Sequence, residues 1–203
     1  MTSRVLRVGI LGQGRSGRNI HAEYLKDDPR FAIVAVADLL ADRRERAERE
    51  FGCATYANVD DLLARKDLDL VVMSRPGKPD MVRFLQEMQR IGVGVVVDVD
   101  DDVSTCHPQS GSYRIWNGLL RDGTHYNNMR QACSLADVVT VTTLALERKY
   151  GSHGRVERLP NRLPQFRDPL PAVSGDTFTI LWSGALASHH GDLEVMGDAV
   201  RQM

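Results

Sequence analysis

Short apolar runs alternate with longer amphipathic stretches along most of this 203-residue chain. The runs are Val5 to Leu11, Ala32 to Ala37, Leu68 to Met73, Val93 to Val97, Val138 to Thr142 and Phe178 to Trp182. Between them lie helix-like stretches at Gly17 to Lys26, Ala41 to Phe51, Asp80 to Ile91 and Tyr126 to Leu135, with a weaker one in "NVDDLLARKD". A strand with one face in water alternates polar and apolar residues, whereas these runs are continuous and rich in β-branched side chains. They suit strands covered on both faces, so the pattern predicts an α/β chain with a doubly wound, parallel, Rossmann-like sheet. The helix "ADRRERAEREFG" has the expected punctuation, with Asp42 near its start and Gly52 as its stop.

The pattern changes near residue 160. Four of the eight prolines fall between Pro160 and Pro171, and proline removes a backbone donor and resists regular structure. Residues 1–170 are therefore expected to form one Rossmann-like domain. Residues 171–203 are expected to complete a linker and begin a second α/β domain, in "TFTILWSGAL" and "GDLEVMGDAVRQM", that is cut short.

Composition narrows the partners. Acidic and basic residues nearly cancel, 27 against 26, for a net charge of -1, so no global field draws the chain to nucleic acid or an anionic membrane. The expected partner is a small-molecule nucleotide. Cys53, Cys106 and Cys133 are widely spaced with no C-x-x-C pair, which argues against a disulfide framework or a structural zinc site. No run approaches the roughly 18 apolar residues of a membrane span, and the N-terminus lacks a signal-peptide pattern. The expected setting is the cytoplasm.

The first strand runs into "GQGRSG", a G-x-G-x-x-G spacing formed by Gly12, Gly14 and Gly17. In such a loop the first glycine allows a tight turn and the second lets backbone approach a pyrophosphate. The third lets the following helix pack closely, with its N-terminal amides toward the phosphates. Arg15 and Ser16 would lie at the loop and could contact phosphate. A second requirement is an acid at the end of the second strand, and Asp38 in "FAIVAVADLL" stands 26 positions after Gly12. A carboxylate there accepts the ribose hydroxyls. Arg43 and Arg44 follow, and either could reach a 2′-phosphate, so both NAD and NADP are candidate cofactors.

From residue 5 to residue 72 the chain resembles the N-terminal part of the Gfo/Idh/MocA oxidoreductases. The resemblance is carried by the glycine loop, "AVAD", the "R-x-x-A-x-x-F-G" helix and the "Y-x-x-x-x-x-L-L" stretch. It implies a nicotinamide cofactor and hydride transfer at a sugar or cyclitol carbon. It also implies a strand ending in Glu-Lys-Pro, whose lysine assists proton transfer. The corresponding strand here reads "GVGVVVDVDDD", without the lysine. A large sheet domain that supplies a catalytic His or Asp pair is implied too, and the 203 residues leave no room for it. His21 reads as a packing or capping residue, and His107, His125, His153, His189 and His190 have no spacing that names a base. The expectation is a catalytically incomplete dinucleotide-binding protein.

From about residue 70 onward, "DLVVMSRPGKPDMVRFLQEMQRIGVGVVVDVDDDVSTCHP", "SLADVVTVTTLALERKYG", "VERLPNRLP" and "ILWSGALASHHGDLEVM" resemble the first domain, and the start of the second, of GT-B glycosyltransferases. This implies a hybrid, with 1–72 of dinucleotide-binding type and 73–170 a glycosyltransferase-like continuation. The alternative function is then glycosyl transfer from a nucleotide sugar. Asp98 and Asp100 alternate off one strand face, and Asp101 and Asp102 continue into the loop at its carboxyl edge. Such carboxylates could hold a hard cation or act as a base toward an acceptor hydroxyl, or simply be solvated acids and helix caps. Asp98, Asp100 and Asp101 are the candidate catalytic residues on that reading. His189, His190 and Asp192 do not converge as metal ligands, and Trp116 and Trp182 read as packing residues. An exposed sheet edge could also make the chain a homo-oligomer.

Overall fold

The computed structural model of the chain describes residues 4–116, 124–160 and 196–197. Its strands are β1 (Leu6–Leu11), β2 (Phe31–Ala37), β3 (Ala54–Tyr56), β4 (Leu70–Ser74), β5 (Gly94–Val99), β6 (Val138–Val141) and β7 (Val156–Arg158). They form one parallel sheet in the order β3-β2-β1-β4-β5-β6-β7. The chain steps outward from β1 to β3, returns to place β4 beside β1, and then steps outward the other way. That reversal opens a crevice at the carboxyl ends of β1 and β4, where open α/β sheets bind ligands.

The helices are α1 (Arg15–Ala22, continued by Glu23–Leu25), α2 (Ala41–Phe51), α3 (Val59–Leu63), α4 (Pro79–Arg90), α5 (Gly111–Trp116), α6 (Thr124–Leu135) and α7 (Leu144–Tyr150). Each central strand feeds both faces because successive side chains point to opposite sides. Val8, Ile10, Val36 and Val72 pack with Ala22, Leu25 and Ala47 on the α1–α2 face. Val71, Met73, Val95, Val97, Val139 and Val141 pack with Leu62, Leu85, Met88, Met129 and Tyr150 on the α3–α4–α6–α7 face. Continuous β-branched runs are what a sheet buried in this way requires.

Local signals set the helix ends. Asn58 caps α3 by accepting from the Asp61 N–H at 2.8 Å. Pro79 opens α4, where a missing N–H costs nothing. Gly52 ends α2 with φ of 62° and returns its N–H to Glu48. The structure departs from expectation at α1. Its first eight residues are wound as a π-helix, a geometry that sequence periodicity does not announce and that recurs at functional sites.

The sheet is continuous across residues 72 and 73, since β4 pairs with β1 on one side and β5 on the other. The expected strand Phe178 to Trp182, the boundary near residue 170 and the segment 171–203 lie outside the described residues apart from Met196 and Gly197, which are helical. Among the described residues, no helix is long and apolar enough to cross a membrane.

Candidate functional site

The loop between β1 and α1 shows why glycines stand where they do. Gly12 has φ of 88°, a left-handed conformation that a side chain would strain. Its N–H reaches the Ala37 carbonyl at 2.8 Å, which ties the turn to the end of β2. A Cβ on Gly17 would stand 1.7 Å from the Gly12 carbonyl oxygen, so α1 can begin this close to the turn only with glycine there. Gly14 is the N-cap of α1 and provides no side-chain hydrogen bond to the helix start. The first-turn amides of α1 thus have no side-chain cap at the carboxyl edge of the sheet.

Asp38 follows β2 directly and is bound into the same loop. Its Oδ2 accepts the Gln13 N–H at 2.6 Å and its Oδ1 accepts the Leu40 N–H at 2.9 Å. Arg43 Nη1 lies 3.5 Å from Oδ2, with its side chain still 38% exposed toward the cleft. Arg44 instead donates to the carbonyls of Asp38 and Leu39 at 2.8 and 2.9 Å. Of the two arginines singled out in the sequence, Arg43 is the one facing the cleft. Gln13 is 1% exposed, and neither polar atom of its side-chain amide has a hydrogen-bond partner among the described residues. Arg15 is exposed at the loop, whereas the buried Ser16 hydroxyl donates to Asp100 at 2.9 Å and is committed within the protein.

Of these residues Gly12, Asp38, Leu39, Leu40 and Arg43 line a cleft of about 990 Å³, with Asn58, Ser74, Arg75, Lys78, Trp116 and His125, whereas Gly14, Arg15, Ser16 and Gly17 are not part of its lining. It opens at the carboxyl edge of the sheet. A second cavity, about 590 Å³, lies against the α1 face and is lined mainly by apolar groups such as Ile20, Leu70 and Val96. The first is the candidate site because it alone holds the turn glycine, the acid after β2 and the switch point.

Sequence reasoning missed the far wall of this cleft. Gly77 sits so close to Trp116 that a Cβ would meet the indole at 2.8 Å, and Asn128 donates to the Gly77 carbonyl at 3.0 Å. Trp116 and His125 stack edge to face at 6.0 Å. Trp116 therefore packs, as expected, while also lining the site. The available signal was the strand-to-turn sequence "MSRPG" after β4.

The aspartates after β5 separate. Asp98 is 1% exposed, accepts from the Thr140 hydroxyl at 2.8 Å and lies 3.1 Å from His21 Nε2. Asp100 is 8% exposed and is held by Ser16 and by Arg75, whose Nε is 3.2 Å away. Asp101, with an exposed side chain, faces Arg75 Nη1 at 3.2 Å. Asp102 accepts from the Ser104 N–H at the start of a 3₁₀ turn, Val103–Thr105, and pairs with Lys149 at 2.6 Å. Burial works against the Asp102 charge, but hydrogen bonds from Lys149 and Ser104 outweigh it and hold the carboxyl below its ordinary range. The solvated-acid expectation fails for Asp98 and Asp100, which are buried and paired, while the cap expectation describes Asp102. Among the described residues, no group of three or more His, Cys, Asp or Glu side chains is placed to hold a metal ion. His189, His190 and Asp192 lie outside the described residues.

Residues 6–97 match a family model described as the oxidoreductase family with an NAD-binding Rossmann fold, Gfo/Idh/MocA. The match runs through β4 and most of β5, past the resemblance read to residue 72. Solved structures similar to this chain include the following three. One is a 3-ketoreductase from Actinomadura kijaniata in complex with NADP and TDP-benzene, at 24% identity and a TM-score of 0.42, covering 47% of this chain and 29% of that one. Another is the WlbA dehydrogenase from Bordetella pertussis with NADH and UDP-GlcNAcA, at 24% identity and a TM-score of 0.42, covering 48% and 28%. A third is a putative myo-inositol dehydrogenase from Sinorhizobium meliloti 1021, at 27% identity and a TM-score of 0.42, covering 49% and 29%. The matches span less than a third of these three chains. Comparison with curated proteins finds no match. The family model gives no support to the glycosyltransferase likeness of residues 70–203.

Proposed function

We propose that this chain holds NAD or NADP across Gly12 to Gly17 and Asp38, and that it lacks the proton-transferring lysine its family resemblance implies. The observation that carries this reading is the joint geometry of the loop and the acid. Gly12 is left-handed, Gly17 is in close contact with it, and Asp38 is fixed beside both by the Gln13 N–H. These features suit a dinucleotide because they bring backbone donors and a ribose-binding carboxylate to one cleft.

On this reading, Gly14, Arg15, Ser16 and Gly17 meet the pyrophosphate chiefly through backbone N–H groups, and Gly12, whose own N–H is bound to Ala37, makes the turn that lets the phosphates approach. Asp38 accepts from the ribose hydroxyls with the lone pairs left by its two backbone donors, and Arg43 meets a 2′-phosphate where one is present. When bound, the nicotinamide ring supplies or accepts a hydride. The end of β5 presents Asp98, Val99, Asp100 and Asp101, with Val99 fully buried, and so offers no ammonium to move a proton. β3 and β7 are the sheet edges among the described residues, and either could pair with a second copy.

Calorimetric titration with NAD(H), NADP(H) and a panel of UDP- and GDP-sugars, repeated on Asp38→Ala, tests the reading. Saturable nicotinamide-dinucleotide binding should weaken about tenfold or more in the variant, a change of roughly 1.4 kcal/mol. Thermal unfolding of the variant separates loss of binding from loss of fold. Binding of nucleotide sugars alone, indifferent to Asp38, would overturn it.

A further inference from the structure

The cleft is lopsided. Its lining comes from the ends of β1, β2 and β4, the β2–α2, β3–α3 and β4–α4 connections, α2, α3, α4, Trp116 and His125, and includes no residue of β5 or of the turn that follows it. A dinucleotide that straddles a switch point needs both sides of the crevice. Its adenosine half lies over β2, and its other half over the ends of β4 and β5.

On the β4–β5 side three segments close on one another. Ser16, in the first turn of α1, donates to Asp100 Oδ2 at 2.9 Å. Arg75, the residue after β4, places Nε 3.2 Å from Asp100 Oδ1 and Nη1 3.2 Å from Asp101 Oδ2. Its backbone N–H reaches the Asp98 carbonyl at 2.9 Å, and the Thr142 hydroxyl donates to the Asp100 carbonyl at 3.1 Å. Arg75 has φ of 45°, the one positive value outside glycine among the described residues. Such a conformation persists where surrounding contacts over-determine it, and here they hold the guanidinium across the crevice.

We infer that the site grips the adenosine-diphosphate half of a dinucleotide, while the Ser16–Asp100–Arg75 latch keeps the nicotinamide half out of the β4–β5 crevice. This rests on the dinucleotide reading above and adds which half of the ligand is recognised. Opening the crevice requires Arg75 to leave two carboxylates, one of them buried. The ligand class that fits the closed state is therefore any ADP-ribosyl compound, and the nicotinamide contributes no affinity to it.

The test is calorimetry on the full chain with NAD, ADP-ribose and nicotinamide mononucleotide, combined with saturation-transfer NMR on the NAD complex. The expected result is NAD and ADP-ribose binding within about threefold of each other, no saturable binding of nicotinamide mononucleotide, and saturation transfer to adenine but not nicotinamide protons. Arg75→Gly relieves the backbone strain and opens the latch, so it should favour NAD over ADP-ribose by about fivefold or more. NAD binding tenfold or more tightly than ADP-ribose to the unaltered protein, with transfer to the nicotinamide protons, would overturn the latch and leave the dinucleotide reading standing. Failure of both NAD and ADP-ribose to bind would remove that reading and the latch with it. Unchanged relative affinities in a folded Arg75→Gly protein would show that the latch excludes nothing.

Discussion

His21 Nε2 stands 3.1 Å from Asp98 Oδ2, with the two side chains 6% and 1% exposed, so α1 is joined to β5 by a buried polar contact as well as by apolar packing. Thr140 donates to the other carboxylate oxygen. A polar group this deeply buried costs free energy when its neighbour is removed, because water does not replace the partner. His21→Ala and Asp98→Asn should each destabilise the fold by about 1–3 kcal/mol. In a double-mutant cycle by urea denaturation, their coupling should reach about 1 kcal/mol. Coupling near zero would mean that the two are neighbours without an energetic link.

At the opposite end of the sheet, Asp69 accepts from the Arg7 backbone and guanidinium at 2.9 Å. Those hydrogen bonds, with the charge of Arg4 nearby, hold its carboxyl far below the ordinary carboxylate range. Arg30 does the same for Asp28, whose pKa falls to about 2. A carboxyl with a depressed folded pKa binds protons more readily in the unfolded chain. Its stabilisation is therefore present above the unfolded pKa of about 4 and is lost as the pH falls toward the folded value. Asp69→Asn should lower the melting midpoint at pH 7, and the gap to the unaltered protein should narrow steadily from pH 4 to pH 2. A gap that stays constant over that range would show that the contact acts through packing.

Among the described residues, the strands that apolar runs announced are those at the centre of the sheet. Val138 to Thr142 became Val138–Val141, and Ala32 to Ala37 became Phe31–Ala37. β3 and β7 went unread because each is three residues long, lies at an edge and buries too little to need an apolar run. The glycine loop and Asp38 were legible as a motif because a tight turn, a close helix approach and the proposed ribose-binding acid each demand a residue type at a fixed spacing. Arg75 was not legible. Its importance comes from a left-handed backbone and from its ion pairs with Asp100 and Asp101 on another strand's end, which only the folded sheet brings together. The aspartate run was visible as a cluster, but the separate commitment of its members to His21, Ser16 and Lys149 depends on helices that pack from different directions.

The thiols should separate by accessibility. Burial pushes Cys133 up to about 12 and also raises Cys53 and Cys106, though Cys106 keeps part of its surface in solvent. Since the thiolate is the reactive form, Ellman's reagent at pH 8 should modify Cys106 slowly in the native protein. The other two of the three cysteines should react only after denaturation. Peptide mapping that finds Cys133 modified in the native state would contradict the packing of α6 against the sheet.

Gly14 and Gly17 lie in one loop yet should fail in different ways. A Cβ on Gly14 meets only Arg43 Nη1, at 3.5 Å, and its φ of -72° suits any residue. Gly14→Ala should therefore fold with stability within about 0.5 kcal/mol of the original. Its methyl group would stand where a pyrophosphate approaches the backbone, so NAD or NADP should bind about tenfold or more weakly, a loss of roughly 1.4 kcal/mol. Gly17→Ala drives its Cβ to 1.7 Å from the Gly12 carbonyl oxygen, and α1 must move to admit it. That substitution should cost about 3 kcal/mol of stability and weaken binding only as a consequence. Thermal unfolding beside calorimetric titration distinguishes the two. If Gly14→Ala folds normally and binds the dinucleotide as tightly as the unaltered chain, the glycine loop shapes the turn without holding a cofactor.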